Sequence, residues 1–308
     1  MKSTIPETSL EEFRRFHFDL KIKNRNSLFC LTRICLQQIR PLQRRGKVET
    51  PRQASRNSLD LNINNRFRIS KMSIFTYHLV KTSCIFALKA ILFPLKNSNI
   101  PGLIDAETMI SMTLGSLVFS PSRMLIRQVV VFAQWKDEQA VDHFLAQHQF
   151  GKVLAKGWHT RLAFTRQWGK INAFEIPDQT QEFHQPNTPI VAITLARMKL
   201  FQVPRFIRWG KPVEKLVRDH PGTTFSLASI RLPRTVSTFS IWKSQQEMTD
   251  MVHGHSNVPQ PKRHINAMKE RDRKDFHFEF TTLRFRPIAE FGEWKGRKNL
   301  IPNLENNQ

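Results

Sequence analysis

The sequence predicts an α+β protein made of two βαββαβ halves, and three observations carry that reading. From residue 73 onward, runs rich in Val, Ile and aromatic residues alternate with runs of helical spacing. The order strand, helix, strand, strand, helix, strand occurs twice, over 72–173 and over 189–298, around a linker at 174–188 that contains Pro177, Pro186 and several Gln. Local matches fall at corresponding places: Pro101-Gly102 with Pro221-Gly222, Trp135-Lys136 with Trp242-Lys243, and Trp168-Gly169 with Trp294-Lys295-Gly296.

In the first half, residues 74–80 read as a strand and 83–95 as a helix stopped by Pro94 and the turn signals at 97–101. Residues 106–117 suit an extended segment, 127–135 form the clearest strand, and Asp137-Glu138 open a helix that runs to about residue 156. A last strand covers 159–167. In the second half the strands are expected at 190–199, 225–232, 235–242 and 278–286, and the helices at 203–218, from Ser244 onward, and at 262–273. Ser244 with Glu247 three residues on is a capping-box pattern.

Each half is the ferredoxin-like arrangement, an open sheet with helices on one face, so its other face has to be covered. Packing the two sheets together into an α+β barrel is the natural solution. The interior is then expected to be apolar and closed to bulk water. Residues 299–308 read as a tail.

The 308 residues have a formal net charge of +23, and residues 1–71 hold sixteen Lys or Arg against six Asp or Glu. With many Arg, Asn, Gln and Ser between residues 37 and 68, this head cannot bury enough apolar surface to offset the entropy of ordering it, and it is expected to be a disordered basic extension. Met72, where the pattern begins, is a candidate initiator. Nucleic-acid binding is unlikely despite the charge, because the patterned region has no basic helix or zinc-finger spacing and its single tyrosine, Tyr77, makes no stacking platform.

Cys30, Cys35 and Cys84 are too few and too irregular for a disulfide framework or a zinc site, so a reducing cytoplasm is the expected compartment. The most apolar run, 84–95, contains Lys89 and is shorter than the roughly 20 residues of a spanning helix. With Lys81, Lys89 and Lys96 around an apolar face, the helix at 83–96 is a candidate for peripheral contact at the inner membrane surface, against the plainer reading of a helix packed on its own sheet.

No Gly-rich dinucleotide fingerprint, phosphate loop or Gly-x-Ser-x-Gly elbow is present, which removes most of the case for a dehydrogenase or hydrolase. Histidine is the functional type in quantity. His264 opens a helix from which a side chain can point between helix and sheet, as a haem axial ligand must, and is the first candidate for metal and cofactor binding. His159, after Trp158 at a strand start, is the second candidate for cofactor binding. His277 and Glu279, two apart on a strand, share a face and could supply two legs of a non-haem iron site. His143, His148, His253 and His255 read as surface residues, and Trp135 and Trp242 as core plugs.

Residues 72–298 resemble the spheroidene monooxygenases of carotenoid biosynthesis, carotenoid oxygenases of the dimeric α+β barrel type. The resemblance rests on Pro101-Gly102-Leu103, on 131–138, on Trp158-His159-Thr160-Arg161-Leu162, on 239–244, on the His264 helix and on 279–285 with Arg284-Phe285, all in shared order. The loop 254–263 is longer than the family pattern. The resemblance implies a haem-dependent monooxygenase whose barrel holds haem in a dry chamber and which inserts oxygen from O2 into an apolar, acyclic carotenoid-like substrate, with electrons from a reductase or ferredoxin. The rival is a non-enzymatic barrel that binds an apolar ligand or acts as a stress-response module.

Overall fold

A computed structural model describes residues 73–116, 123–172, 174, 176 and 185–304, all within one compact unit. The basic head, 1–71, lies outside the described residues, as does most of the linker.

Eight strands are formed: β1 Ile74–Lys81, β2 Leu103–Met112, β3 Met124–Trp135, β4 Trp158–Lys170, β5 Ile190–Met198, β6 Thr223–Arg231, β7 Thr235–Trp242 and β8 His277–Phe291. Among the described residues six α-helices accompany them: α1 Cys84–Leu92, α2 Glu138–Gln147, α3 Gln149–Leu154, α4 Val203–Asp219, α5 Gln245–His253 and α6 Arg263–Arg273. The strands close into a barrel in the order β1-β3-β2-β6-β7-β5-β8-β4, every pair antiparallel. This is the α+β barrel of two ferredoxin-like halves that the sequence predicts.

The halves carry the same turn chemistry. In the first, the Gly102 carbonyl accepts from the Lys136 N–H at 2.8 Å, and in the second the Gly222 carbonyl accepts from Lys243 at 2.8 Å. Gly102 is required there: its φ is +78°, and a Cβ would lie 2.4 Å from that of Ala140. The third sequence match is not structural. Trp168 stands on the outer wall of β4, whereas Trp294 belongs to the barrel core.

The two seams between halves are unequal. β2 and β6 share three register pairs, Ile110↔Ile230 to Met112↔Ala228, while β4 and β8 share eleven. Those long strands outrun the sequence estimate because each pairs with both halves.

Among the described residues, the haem chamber expected inside the barrel is absent. Side chains alternate in and out along each strand, and the inward set fills the barrel: Phe75, Tyr77, Phe132, Trp158, Phe239 and Phe285 are fully buried. Tyr77 stacks on Phe239 with centroids 3.9 Å apart, and Phe75 packs on Phe285 at 5.0 Å. Phe174, from the linker, packs against Phe132 at 4.9 Å, and Leu300 and Ile301, from the stretch read as a tail, are 1% exposed in the same core. The physical reason is volume: aromatic residues from facing strands meet across a barrel of eight strands, whose bore is just wide enough for side chains to fill.

The helix expected over 136–156 is two helices. His148 is extended, with φ −79° and ψ 136°, and its Nδ1 accepts the Phe150 N–H at 3.2 Å, so it ends α2 and caps α3.

Candidate functional site

With the bore filled, ligand space has to lie between a sheet's outer face and its helices, and the two halves differ sharply there. In the first half the outward residues Ile74, Val80, Val129, Val131, Ala133 and Trp135 meet Ala87, Ala90, Val141, Phe144 and Leu154 in one sealed cluster. Trp135 donates from Nε1 to Thr76 Oγ1 at 2.8 Å and packs on Phe144.

In the second half the corresponding floor is made of small side chains. Register places Thr282 beside Thr194 and Thr194 beside Thr238, with Ala192 beside Ser240 in the next row. Thr194 Oγ1 and Thr282 Oγ1 are 3.2 Å apart. Ala192, Thr194, Thr238 and Thr282 stay half-buried although they lie in the middle of the sheet. α4 runs for 17 residues, and its one buried side chain, Leu216, joins Ile190, Trp242, Met248 and Met251 in a cluster smaller than that of the first half. Two adjoining cavities of about 330 and 270 Å³ open between α4 and α6. Ile207, Arg208, Lys211, Pro212, Lys215 and Arg263 line the larger, and Trp209, Gln260 and Asn266 complete the smaller.

His264, next to the cavity residue Arg263, is half-buried in the first turn of α6. Its Nδ1 is 3.1 Å from the Val252 carbonyl, which can only accept, so Nδ1 carries the proton and the neutral ring keeps a lone pair on Nε2. Burial pushes its pKa below the usual histidine value against that hydrogen bond, helped by repulsion from His253 and Arg271.

His277 presents a second imidazole of this kind. Its Nδ1 lies 3.0 Å from an Asp275 carboxylate oxygen and its backbone N–H donates to the same oxygen at 2.9 Å, while Nε2 is buried without a partner among the described residues. Its ring meets Phe206 of α4 edge-on at 5.7 Å and Phe280 at 5.0 Å. Burial lowers its pKa, with Asp275 opposing. The sequence signal for this role is Asp275 two residues before the histidine, which the pairing with Glu279 obscured. That pairing does not form a site: Glu279 is held by Arg197 at 3.2 Å and by Asn172 at 2.8 Å, and no group of three metal-ligating side chains occurs among the described residues. The register shift between Arg197 and Met198 at the start of β8 is what separates the two.

His159 sits in the other half. It pairs in register with His78, stacks on it at 4.9 Å and on Phe291 at 4.8 Å, and lies against the first half's helices rather than in the second half's cleft. Its Nδ1 and both His78 ring nitrogens are buried without partners among the described residues. Burial, and then the charge of Arg161, lower the His159 pKa to about 4. Near-parallel stacked rings do not aim their lone pairs at a common point, so the pair is a poor metal site. The structure thus does not bring His159 and His264 together. Of the other histidines, His143, His253 and His255 are exposed, and His148 caps α3.

At the β4–β8 seam, Arg166 and Arg284 flank Trp168, their guanidinium carbons 4.5 and 4.2 Å from its ring. Neither makes a salt bridge among the described residues, and burial, then repulsion from Arg166, lower the Arg284 pKa to about 10. Arg284 neighbours Ala192 of the small-residue floor. No sequence signal joins these three residues, which meet only through strand pairing.

No known family profile matches the sequence, and no curated protein is a detectable relative. Solved structures are similar in fold. An aldoxime dehydratase in complex with butyraldoxime shares 10% identity over 70% of this chain and 79% of its own, with a TM-score of 0.40. A ferredoxin-fold protein related to antibiotic biosynthesis monooxygenases, from Listeria monocytogenes, shares 12% identity over 70% and 95%, with a TM-score of 0.24. The heme-degrading enzyme LmHde of Listeria monocytogenes shares 10% identity over 68% and 98%, with a TM-score of 0.23. At these values the likenesses say nothing about this chain's activity.

Proposed function

We propose that the cleft between α4 and α6 holds haem and that the protein is a monooxygenase acting with O2 on an apolar, carotenoid-like substrate. The observation that supports it is a cation-lined cleft between α4 and α6 beside an imidazole whose tautomer is fixed. The donor chemistry fits the group: the Val252 carbonyl holds the His264 Nδ1 proton, which leaves Nε2 as the atom that would ligate iron. Arg208, Lys211, Lys215 and Arg263 supply cations suited to haem carboxylates. When bound, the iron supplies the O2 activation that protein side chains lack. The filled barrel does not fit the group, and its role is to hold the floor rigid. The substrate class and an electron-donating reductase or ferredoxin come from the resemblance of residues 72–298 to spheroidene monooxygenases.

The test is the absorption spectrum of purified protein titrated with hemin. A saturable Soret band that His264→Ala removes, with the fold unchanged by circular dichroism, is the expected result. A band lost in His277→Ala instead moves the ligand to His277, and no saturable band in the unaltered protein overturns the reading.

A second reading is a non-enzymatic carrier of an amphipathic anion. It is favoured by Arg166 and Arg284, which present cations beside the same floor without needing iron. Tight binding of a long-chain carboxylate with no hemin uptake would select it.

A further inference from the structure

Helix α1 packs on its sheet through Ala87 and Ala90, and there the plainer sequence reading holds. Its opposite side is unusual. Ile85, Leu88, Leu92 and Phe93 are 71, 60, 62 and 75% exposed, and Ile126, next to the Arg127 that bonds Thr82 at the foot of the helix, is exposed as well. Ile85, Leu88 and Leu92 recur at helical spacing, so they form one stripe rather than scattered contacts. Exposed apolar side chains gathered in this way mark an interaction surface.

The charges around the stripe narrow the partner. No Asp or Glu occurs between Lys81 and Ile100 or between Arg123 and Lys136. Lys81, Lys89 and Lys96 are exposed and make no salt bridge among the described residues, and Arg127 is exposed beside them. A second copy of this chain seated on the stripe would bring these cations together, in a molecule already carrying +23. An apolar face rimmed by Lys and Arg instead complements a bilayer with anionic headgroups, where acyl chains take the apolar residues and the ammonium groups stay at headgroup level.

We propose that α1 is a peripheral docking face for an anionic lipid bilayer, with Ile85, Leu88, Leu92 and Phe93 entering the interface and Lys81, Lys89, Lys96 and Arg127 meeting the headgroups. Ser83 keeps the helix ordered from its first turn, its Oγ accepting the Phe86 N–H at 3.2 Å, so the face exists before it meets lipid. This docking is independent of haem binding in the other half.

The basic head could bind anionic vesicles on its own, so the experiment reads α1 directly. Cys84, exposed at the start of α1, is labelled with an environment-sensitive fluorophore in the full chain carrying Cys30→Ser and Cys35→Ser. The expected result is a blue shift with vesicles of phosphatidylglycerol and phosphatidylcholine and little change with phosphatidylcholine alone. Leu88→Glu with Leu92→Glu should abolish the shift, including where the head still carries the protein down with the vesicles. Should that variant misfold by circular dichroism, Lys89→Glu with Lys96→Glu keeps the stripe and should remove the preference for anionic lipid. Sedimentation with vesicles but no shift assigns binding to another region and overturns the proposal. So does a shift that appears without lipid as the protein dimerises, and so does absence of any binding.

Discussion

The two helix–sheet interfaces of this barrel share an element order but not the size of their apolar clusters. In the first half, Val129, Val131, Ala133 and Trp135 are sealed under Val141, Phe144 and Leu154, so the interface is a core. In the second half the cluster is smaller, Ile190, Leu216, Trp242, Met248 and Met251, and Thr194, Thr238 and Thr282 stay half-buried on the outer face of the sheet. A duplicated fold can assign stability to one copy and ligand space to the other, and the composition of the outward strand positions shows which is which.

The largest expected effect tests that assignment. Phe144→Ala should cost about 3–5 kcal/mol, since it removes a buried ring packed on Trp135. Phe206→Ala, at a half-buried α4 position, should cost well under half of that. Urea unfolding of both variants measures the difference, and equal losses would break the contrast between the halves.

Acid should strike the first half through His78 and His159. The folded-state pKa of His159 is about 4, below the ordinary 6.5, so between those values the unfolded chain binds more protons than the folded one. Stability is therefore complete above pH 6.5, falls as pH drops through that window, and levels off below about 4. The shift corresponds to a loss of about 3 kcal/mol. His159→Leu should flatten the pH dependence of urea midpoints, and an unchanged slope would locate the titration elsewhere.

Much of this architecture is legible in the sequence because strands such as 127–135 and 235–242 carry strong local patterns, and because a sheet with helices on one side needs a second sheet. The filled bore is not legible, since it depends on how Phe75, Tyr77, Phe132, Phe239 and Phe285 meet across strands, a matter of volume rather than of order. The break at His148 is hidden because one side chain both ends and starts a helix. His264 is readable as the opening of a helix. Arg166, Trp168 and Arg284 are not readable as a group, because only the β4–β8 register assembles them.

A smaller effect is expected from filling the floor. Thr194→Leu should cost about 1 kcal/mol or less, because the half-buried site has room, whereas Ala133→Leu, in the sealed half, should cost about 1–3 kcal/mol by overpacking. If it destabilises as much as Ala133→Leu, this face is packed as tightly as the first half's and the contrast fails.

The smallest expected change in stability comes from Arg284→Gln, and its value lies in what else it changes. Arg284 and Arg166 repel each other across Trp168, so removing one charge relieves repulsion while losing a ring contact, and the two terms roughly offset, within about 0.5 kcal/mol. A ligand whose carboxylate sits between the two guanidiniums loses half of its counter-charge, which should weaken its binding by about tenfold through one charge-assisted hydrogen bond. Parallel titrations of Arg284→Gln with hemin and with a long-chain carboxylate separate the roles. Weakening of both places the cations at the mouth of one shared cleft, and weakening of the carboxylate alone makes the seam a site distinct from the one beside His264.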